Sequence, residues 1–107
     1  MELEVTDETF EKEVVEKSKE IPVLADFWAD WCGPCKVLGP VLEKISKDYE
    51  GKIIIAKALT DDNQQQAQKY SVMSIPSVKL FKDGKIVDEF VGAKSENDIK
   101  EFLDKNL

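Results

Sequence analysis

Histidine and arginine are both missing from the 107 residues. Without histidine there is no Ser-His-Asp or Cys-His catalysis, no imidazole metal site and no histidine pH switch. Without arginine there is no planar fork to grip a phosphate or carboxylate in two-pronged fashion. All 15 basic residues are therefore lysines, scattered singly among 22 acids, and the net charge of -7 argues against nucleic acid or an anionic membrane surface as a partner. Long apolar runs are lacking too, none approaching the ~20 residues of a membrane span. Met1-Glu2-Leu3-Glu4 shows no basic region followed by an apolar stretch, so the expectation is a soluble cytoplasmic protein. Cysteine occurs only twice. A chain of this length builds a sizeable core without disulfide staples or a structural metal, which leaves both sulfurs free for chemistry.

Those two cysteines are Cys32 and Cys35, inside Trp31-Cys32-Gly33-Pro34-Cys35-Lys36. An apolar strand precedes them and an amphipathic helix follows. A Cys-x-x-Cys pair at such a junction puts the first sulfur at a helix N-terminus, where unpaired N-H groups and the helix dipole favour the thiolate. The expectation is a solvent-facing Cys32 that attacks disulfides, with a more buried Cys35 one turn away to resolve the product. Gly33 and Pro34 shape the first turn and tune the redox balance, proline suiting a position that needs no donor. In a reducing compartment a lone Cys-x-x-Cys is catalytic or metal-binding rather than structural. A closed zinc site takes four ligands, and only an intermolecular site could supply them here.

Strand and helix signals alternate along the chain, with no linker or repeat, and one α/β domain over residues 1-107 follows. A short strand at Leu3 to Val5 leads to a helix capped by Thr6 or Asp7, with Phe10, Val14 and Val15 inward. The run from Ile21 to Ala29 reads as a central strand whose single charge is Asp26. A helix from about Pro34 to Tyr49 is expected to kink at Pro40 and to close at Gly51. Ile53 to Ala56 forms another buried strand, followed by a polar helix at about Asn63 to Tyr70. Val78 to Phe81 and Ile86 to Val91 flank Asp83-Gly84, a strong hairpin signal. Ser95 starts a last helix that turns Ile99, Phe102 and Leu103 inward.

Asp26, Phe27-Trp28-Ala29, the Trp31 to Lys36 motif, Pro40, Lys57, Ile75-Pro76, Phe81 to Gly84 and Val91-Gly92-Ala93 occur in an order that resembles the thioredoxin family over essentially the full length. The resemblance implies a thioredoxin fold, a central mixed five-stranded β-sheet flanked by four α-helices, with the final hairpin antiparallel to the central strand. It implies a protein-disulfide reductase, acting as a monomer on client proteins, with no bound cofactor and no metal, re-reduced by a thioredoxin reductase. It further implies that Pro76 is cis and faces the cysteines, and that Ile75 pairs with client backbone. Trp31, Gly92 and Ala93 would complete the client-binding surface. At Leu59, Thr60, Ser74 and Ser77 the chain departs from the usual pattern, which bears on partner preference.

Several residues have a second reading. Asp26, desolvated in an apolar strand, can exchange a proton with Cys35, or can form a structural ion pair with Lys57; the resemblance favours the proton role. Lys36 can favour the Cys32 thiolate, although a solvated lysine is the commoner outcome. A binding module that uses its surface and not its thiols is a further class. Within redox chemistry the rival is an oxidase or isomerase, and the Gly-Pro dipeptide resembles reducing relatives instead.

Overall fold

A computed structural model describes residues 1-107 and places five strands in one sheet of order β1-β3-β2-β4-β5. They are β1 (Glu2–Glu4), β2 (Val23–Trp28), β3 (Ile54–Leu59), β4 (Ser77–Lys82) and β5 (Lys85–Val91). β3 runs parallel to both β1 and β2, and β4 runs antiparallel to β2 and β5. The sheet is thus the mixed one expected, with the C-terminal hairpin set against the central strand. Its turn holds Asp83 and Gly84 at φ of 55° and 84°, the paired left-handed geometry that two-residue hairpins favour.

β2 is covered on both faces, which is why its residues read as a near-continuous apolar run. Alternation along the strand sends Leu24, Asp26 and Trp28 to one face and Val23, Ala25 and Phe27 to the other. Leu24 packs into a core layer with Leu38, Leu42, Ile45 and Ile99, under helices α1 (Gly33–Asp48) and α3 (Glu96–Asp104). Val23, Ala25 and Phe27 pack with Phe10, Val14 and Phe81 on the opposite side, where the N-terminal helical segment and α2 (Gln64–Lys69) lie. Lys44, Asp48, Glu96 and Lys100 link α1 to α3 through alternating charges, with Lys44-Glu96 at 2.8 Å and Lys100-Asp48 at 3.2 Å.

Four helical segments flank the sheet, and three match expectation closely. α1 passes through Pro40 without interruption, since the loss of one donor is local and tertiary packing of Leu38 and Leu42 holds both turns around it. Ser95 Oγ accepts the Asp98 N-H at 3.1 Å and caps α3. The first segment differs. Glu11–Glu16 is a π-type turn that tightens into a 3-10 turn at Lys17–Lys19. Neither proposed cap acts there through its side chain: the Thr6 carbonyl starts the segment by accepting the Phe10 N-H at 2.8 Å. The Asp7 carboxylate instead accepts the Gln66 N-H at 3.1 Å, so it caps α2, 59 residues away. The first strand likewise begins one residue early, at Glu2, although the Val5 N-H still reaches the Lys57 carbonyl at 3.0 Å.

Asn63 ties the ends of β1 and β3 together. Fully buried, its amide donates to the Val5 and Leu59 carbonyls, each at 2.9 Å. That junction closes the β1-β3 pairing, in which Glu4 lies opposite Lys57, while on its other side β3 pairs with β2 and sets Lys57 opposite Asp26.

Candidate active site

The end of β2 delivers the chain to α1 through Ala29-Asp30-Trp31, and Cys32 is the N-cap residue of that helix, extended at φ -88° and ψ 112°. Its Sγ accepts the backbone N-H of Cys35 at 3.2 Å. A sulfur thus takes the place that a serine or aspartate oxygen usually fills at a helix start. Negative charge on that sulfur meets a donated N-H and the positive end of the helix dipole together. Pro34 falls within the first helical turn, where its missing donor leaves no bond unmade. Cys32 and Cys35 are joined as a disulfide, with Cα atoms 5.2 Å apart.

Neither sulfur-bearing residue is open to solvent in this form: Cys32 is 4% exposed and Cys35 5%. The expected contrast between an exposed first cysteine and a buried second one is therefore absent. Ala29, Trp28 and Ile75 pack around the pair, and Cys32 Sγ lies 3.9 Å from the Ile75 carbonyl oxygen. Access comes instead over Trp31, 78% exposed, and past the exposed Gly33 and Pro34. Ile75 precedes Pro76 through a cis peptide bond, as expected, and that bond faces the cysteines through the Ile75 carbonyl.

Asp26 is 1% exposed, in the layer between sheet and α1. Cys35 enters the same layer, since it lies on the helix face that carries Leu38, Leu42 and Ile45. Burial pushes the Asp26 carboxyl above its ordinary value, and the charge of Lys57 and its hydrogen bond only partly oppose that rise. Lys57 Nζ sits 2.9 Å from Asp26 Oδ2 and 5.3 Å from the centre of the Trp28 ring. Asp26 Oδ1 is buried without a partner. One carboxylate oxygen is thus held by the lysine while the other has no partner.

Beside the disulfide, Trp31, Thr60, Gln64, Ala67, Val72, Met73 and Ile75 line a largely apolar pocket of about 340 Å³. A slightly larger cleft, about 370 Å³, lies between β5 and α3. Charged side chains line most of it and none of the site residues do, so size alone is no guide to the chemistry. On the other flank of Pro76, the Gly92 N-H donates to the Pro76 carbonyl at 2.8 Å. Gly92 has φ +91°, and no atom lies within 4 Å of where a Cβ would stand. Backbone conformation, and not crowding within the chain, therefore explains glycine at 92. Ala93 and Lys36 are both exposed.

Sequence reasoning did not single out Met73, Val72, Gln64 or Ala67 as pocket residues. They come from two separate chain segments, and the one local signal was a methionine in the turn before Ile75-Pro76. Thr60, noted earlier only as a departure from pattern, lines the same pocket.

A mixed sheet that presents a Cys-x-x-Cys pair at a helix N-cap, against a cis-proline loop, defines a thiol-disulfide oxidoreductase. The comparison with known families agrees. The thioredoxin family model matches residues 2-105, and the chain belongs to that family. It is 46% identical over 104 residues to thioredoxin 1 of Nostoc sp., covering 97% of this chain and 95% of the relative. It is 47% identical to thioredoxin 2 of Chlorobaculum tepidum, covering 97% and 94%, and 46% identical to thioredoxin of Pseudomonas aeruginosa, covering 96% and 94%. The activity is protein-disulfide reduction through the Cys32-Cys35 pair.

Proposed function

We propose that Cys32 is the attacking thiolate, Cys35 the resolving thiol and Asp26 the proton acceptor for Cys35, in one thioredoxin domain spanning residues 1-107. The observation that carries this assignment is the Cys35 N-H donated to Cys32 Sγ at the start of α1. In the dithiol form, Cys32 attacks one sulfur of a client disulfide. A mixed disulfide forms and the other client sulfur leaves as a thiolate that takes up a proton. Cys35 then gives up its proton toward Asp26 Oδ1 and attacks Cys32 Sγ. The mixed disulfide breaks, the client leaves fully reduced, and its two electrons have come from the Cys32-Cys35 pair.

The other residues hold or tune these steps. Lys57 fixes Asp26 Oδ2, Gly33 and Pro34 shape the turn, and Lys36 adds a positive charge near the helix start. Trp31, Ile75, Pro76, Gly92 and Ala93 form the surface where an extended client segment lies across the disulfide by strand addition. Two electrons return from a thioredoxin reductase. The reading is of a monomer working in the cytoplasm. Its support is chemical: the pair works from the dithiol form that the reductase restores, and Trp31 and Met73, the most exposed large apolar side chains, lie at the site where a client lies.

Alkylation of the reduced protein tests the assignment. At a pH about two units below the ordinary thiol value of about 8.5, iodoacetamide is expected to label Cys32 first, with Cys35 labelled at least tenfold more slowly. Peptide mass mapping reads the order, and labelling of Cys35 first would reverse the assignment.

A further inference from the structure

Met73 is the most exposed large apolar side chain of the molecule, at 92%, yet it lines a pocket with Trp31 and with Ile75, which also packs against the disulfide. The only other methionine is Met1. An exposed thioether is the form of methionine that peroxides oxidise, and oxidation turns a flexible apolar side chain into a polar one. From this placement we infer that Met73 is an oxidation-sensitive element of the client-docking surface, and that a hydroperoxide weakens client binding by converting it to the sulfoxide. The inference rests on the reading of Trp31 and Ile75 as client contacts.

The placement ties Met73 to the reaction through a short chain of contacts. A client sulfur must approach Cys32 Sγ, which lies 3.9 Å from the Ile75 carbonyl. A client segment crossing Ile75 therefore carries its side chains over the adjoining pocket, whose walls are Trp31, Ala67, Val72, Met73 and Ile75 with Thr60 and Gln64 at the polar edge. Nothing charged lines it, so an apolar client side chain is the occupant its chemistry accepts. A sulfoxide oxygen placed there loses water on docking without gaining a donor from the apolar walls.

The step balances. The thioether sulfur attacks the terminal peroxide oxygen, the O–O bond breaks, the S–O bond forms, and water or an alcohol leaves. Sulfur is oxidised by two electrons and the peroxide is reduced by two. The reverse step, a two-electron reduction of the sulfoxide, belongs to methionine sulfoxide reductases.

Hydrogen peroxide on the disulfide form provides the test, because the bonded cysteines are protected while Met1 and Met73 are not. Peptide mass mapping confirms the sulfoxide at Met73. After reduction of the disulfide with a small dithiol, insulin reduction is expected to show KM raised about fourfold, the worth of about one buried methylene. kcat, and the rate with a small aromatic disulfide that does not span the pocket, are expected to stay unchanged. Met73→Leu has no thioether at this site, so peroxide is expected to leave that variant's own KM where it was. Met73→Gln is expected to raise KM without peroxide. Complete conversion at Met73 with unchanged KM would overturn the inference, as would an equal rise in peroxide-treated Met73→Leu. Trp31→Ala separates the two layers of the argument. A raised KM there with no peroxide effect removes only the role of Met73, whereas an unchanged KM removes the docking surface itself.

Discussion

Cys35→Ser is expected to stop turnover after roughly one client per molecule, lowering steady-state insulin reduction by about three orders of magnitude or more, because a serine hydroxyl cannot act as a resolving thiolate. The first step survives in this variant. Cys32 keeps its position at the N-cap of α1 and its approach past Trp31, so attack on the client proceeds and the mixed disulfide accumulates. Non-reducing electrophoresis is expected to show a covalent adduct that a small thiol dissolves. Cys32→Ser is expected to give no adduct, even though Cys35 is then a free thiol. Adducts formed equally by both variants would mean that either sulfur can attack, and the helix N-terminus would lose its place in the explanation.

Asp26→Asn is expected to slow resolution about 100-fold, the lower end of what a positioned acid or base contributes, while leaving formation of the mixed disulfide nearly unchanged. Rapid mixing with a chromogenic disulfide separates the two phases. The variant keeps the size of the side chain and loses the oxygen that takes the proton, so a slowed second phase reports proton transfer rather than packing. Stability supplies an independent reading with a definite sign. Burial holds the carboxyl above its ordinary value of 3.8 in the folded protein. Its contribution to stability is therefore fully present below the unfolded value and is lost as pH rises through the higher folded one. Between those limits urea unfolding of the wild type is expected to lose stability relative to Asp26→Asn, whose amide does not titrate. Lys57, 17% exposed at its side chain, can turn its amine toward solvent when its partner is neutral.

Local chemistry made much of the fold legible. Asp83-Gly84 announces a hairpin because both residues accept positive φ, and Ser95 announces a helix because its hydroxyl reaches the Asp98 N-H. The Cys-x-x-Cys pair is legible for the same reason: spacing and a following amphipathic face put Cys32 at the N-cap. The cis bond before Pro76 was different, reachable only through family resemblance. What remained out of reach depends on residues far apart in the chain. Asp7 satisfies α2 across 59 residues, leaving the first helix without the side-chain cap expected of it. Part of the burial of Cys32 comes from Ile75, 43 positions away, and the pocket at Met73 closes only when β2's exit loop, the end of β3, α2 and the turn after it converge.

The most direct test of the account is the equilibrium between the dithiol and disulfide forms in graded glutathione buffers, quenched by thiol alkylation and read by mass. A reductant whose Cys32-Cys35 pair gives electrons to clients is expected to remain largely as the disulfide in buffers where glutathione is mostly reduced, with its midpoint on the reducing side of glutathione. A midpoint well to the oxidising side would contradict the account and make this chain a donor of disulfides to client thiols.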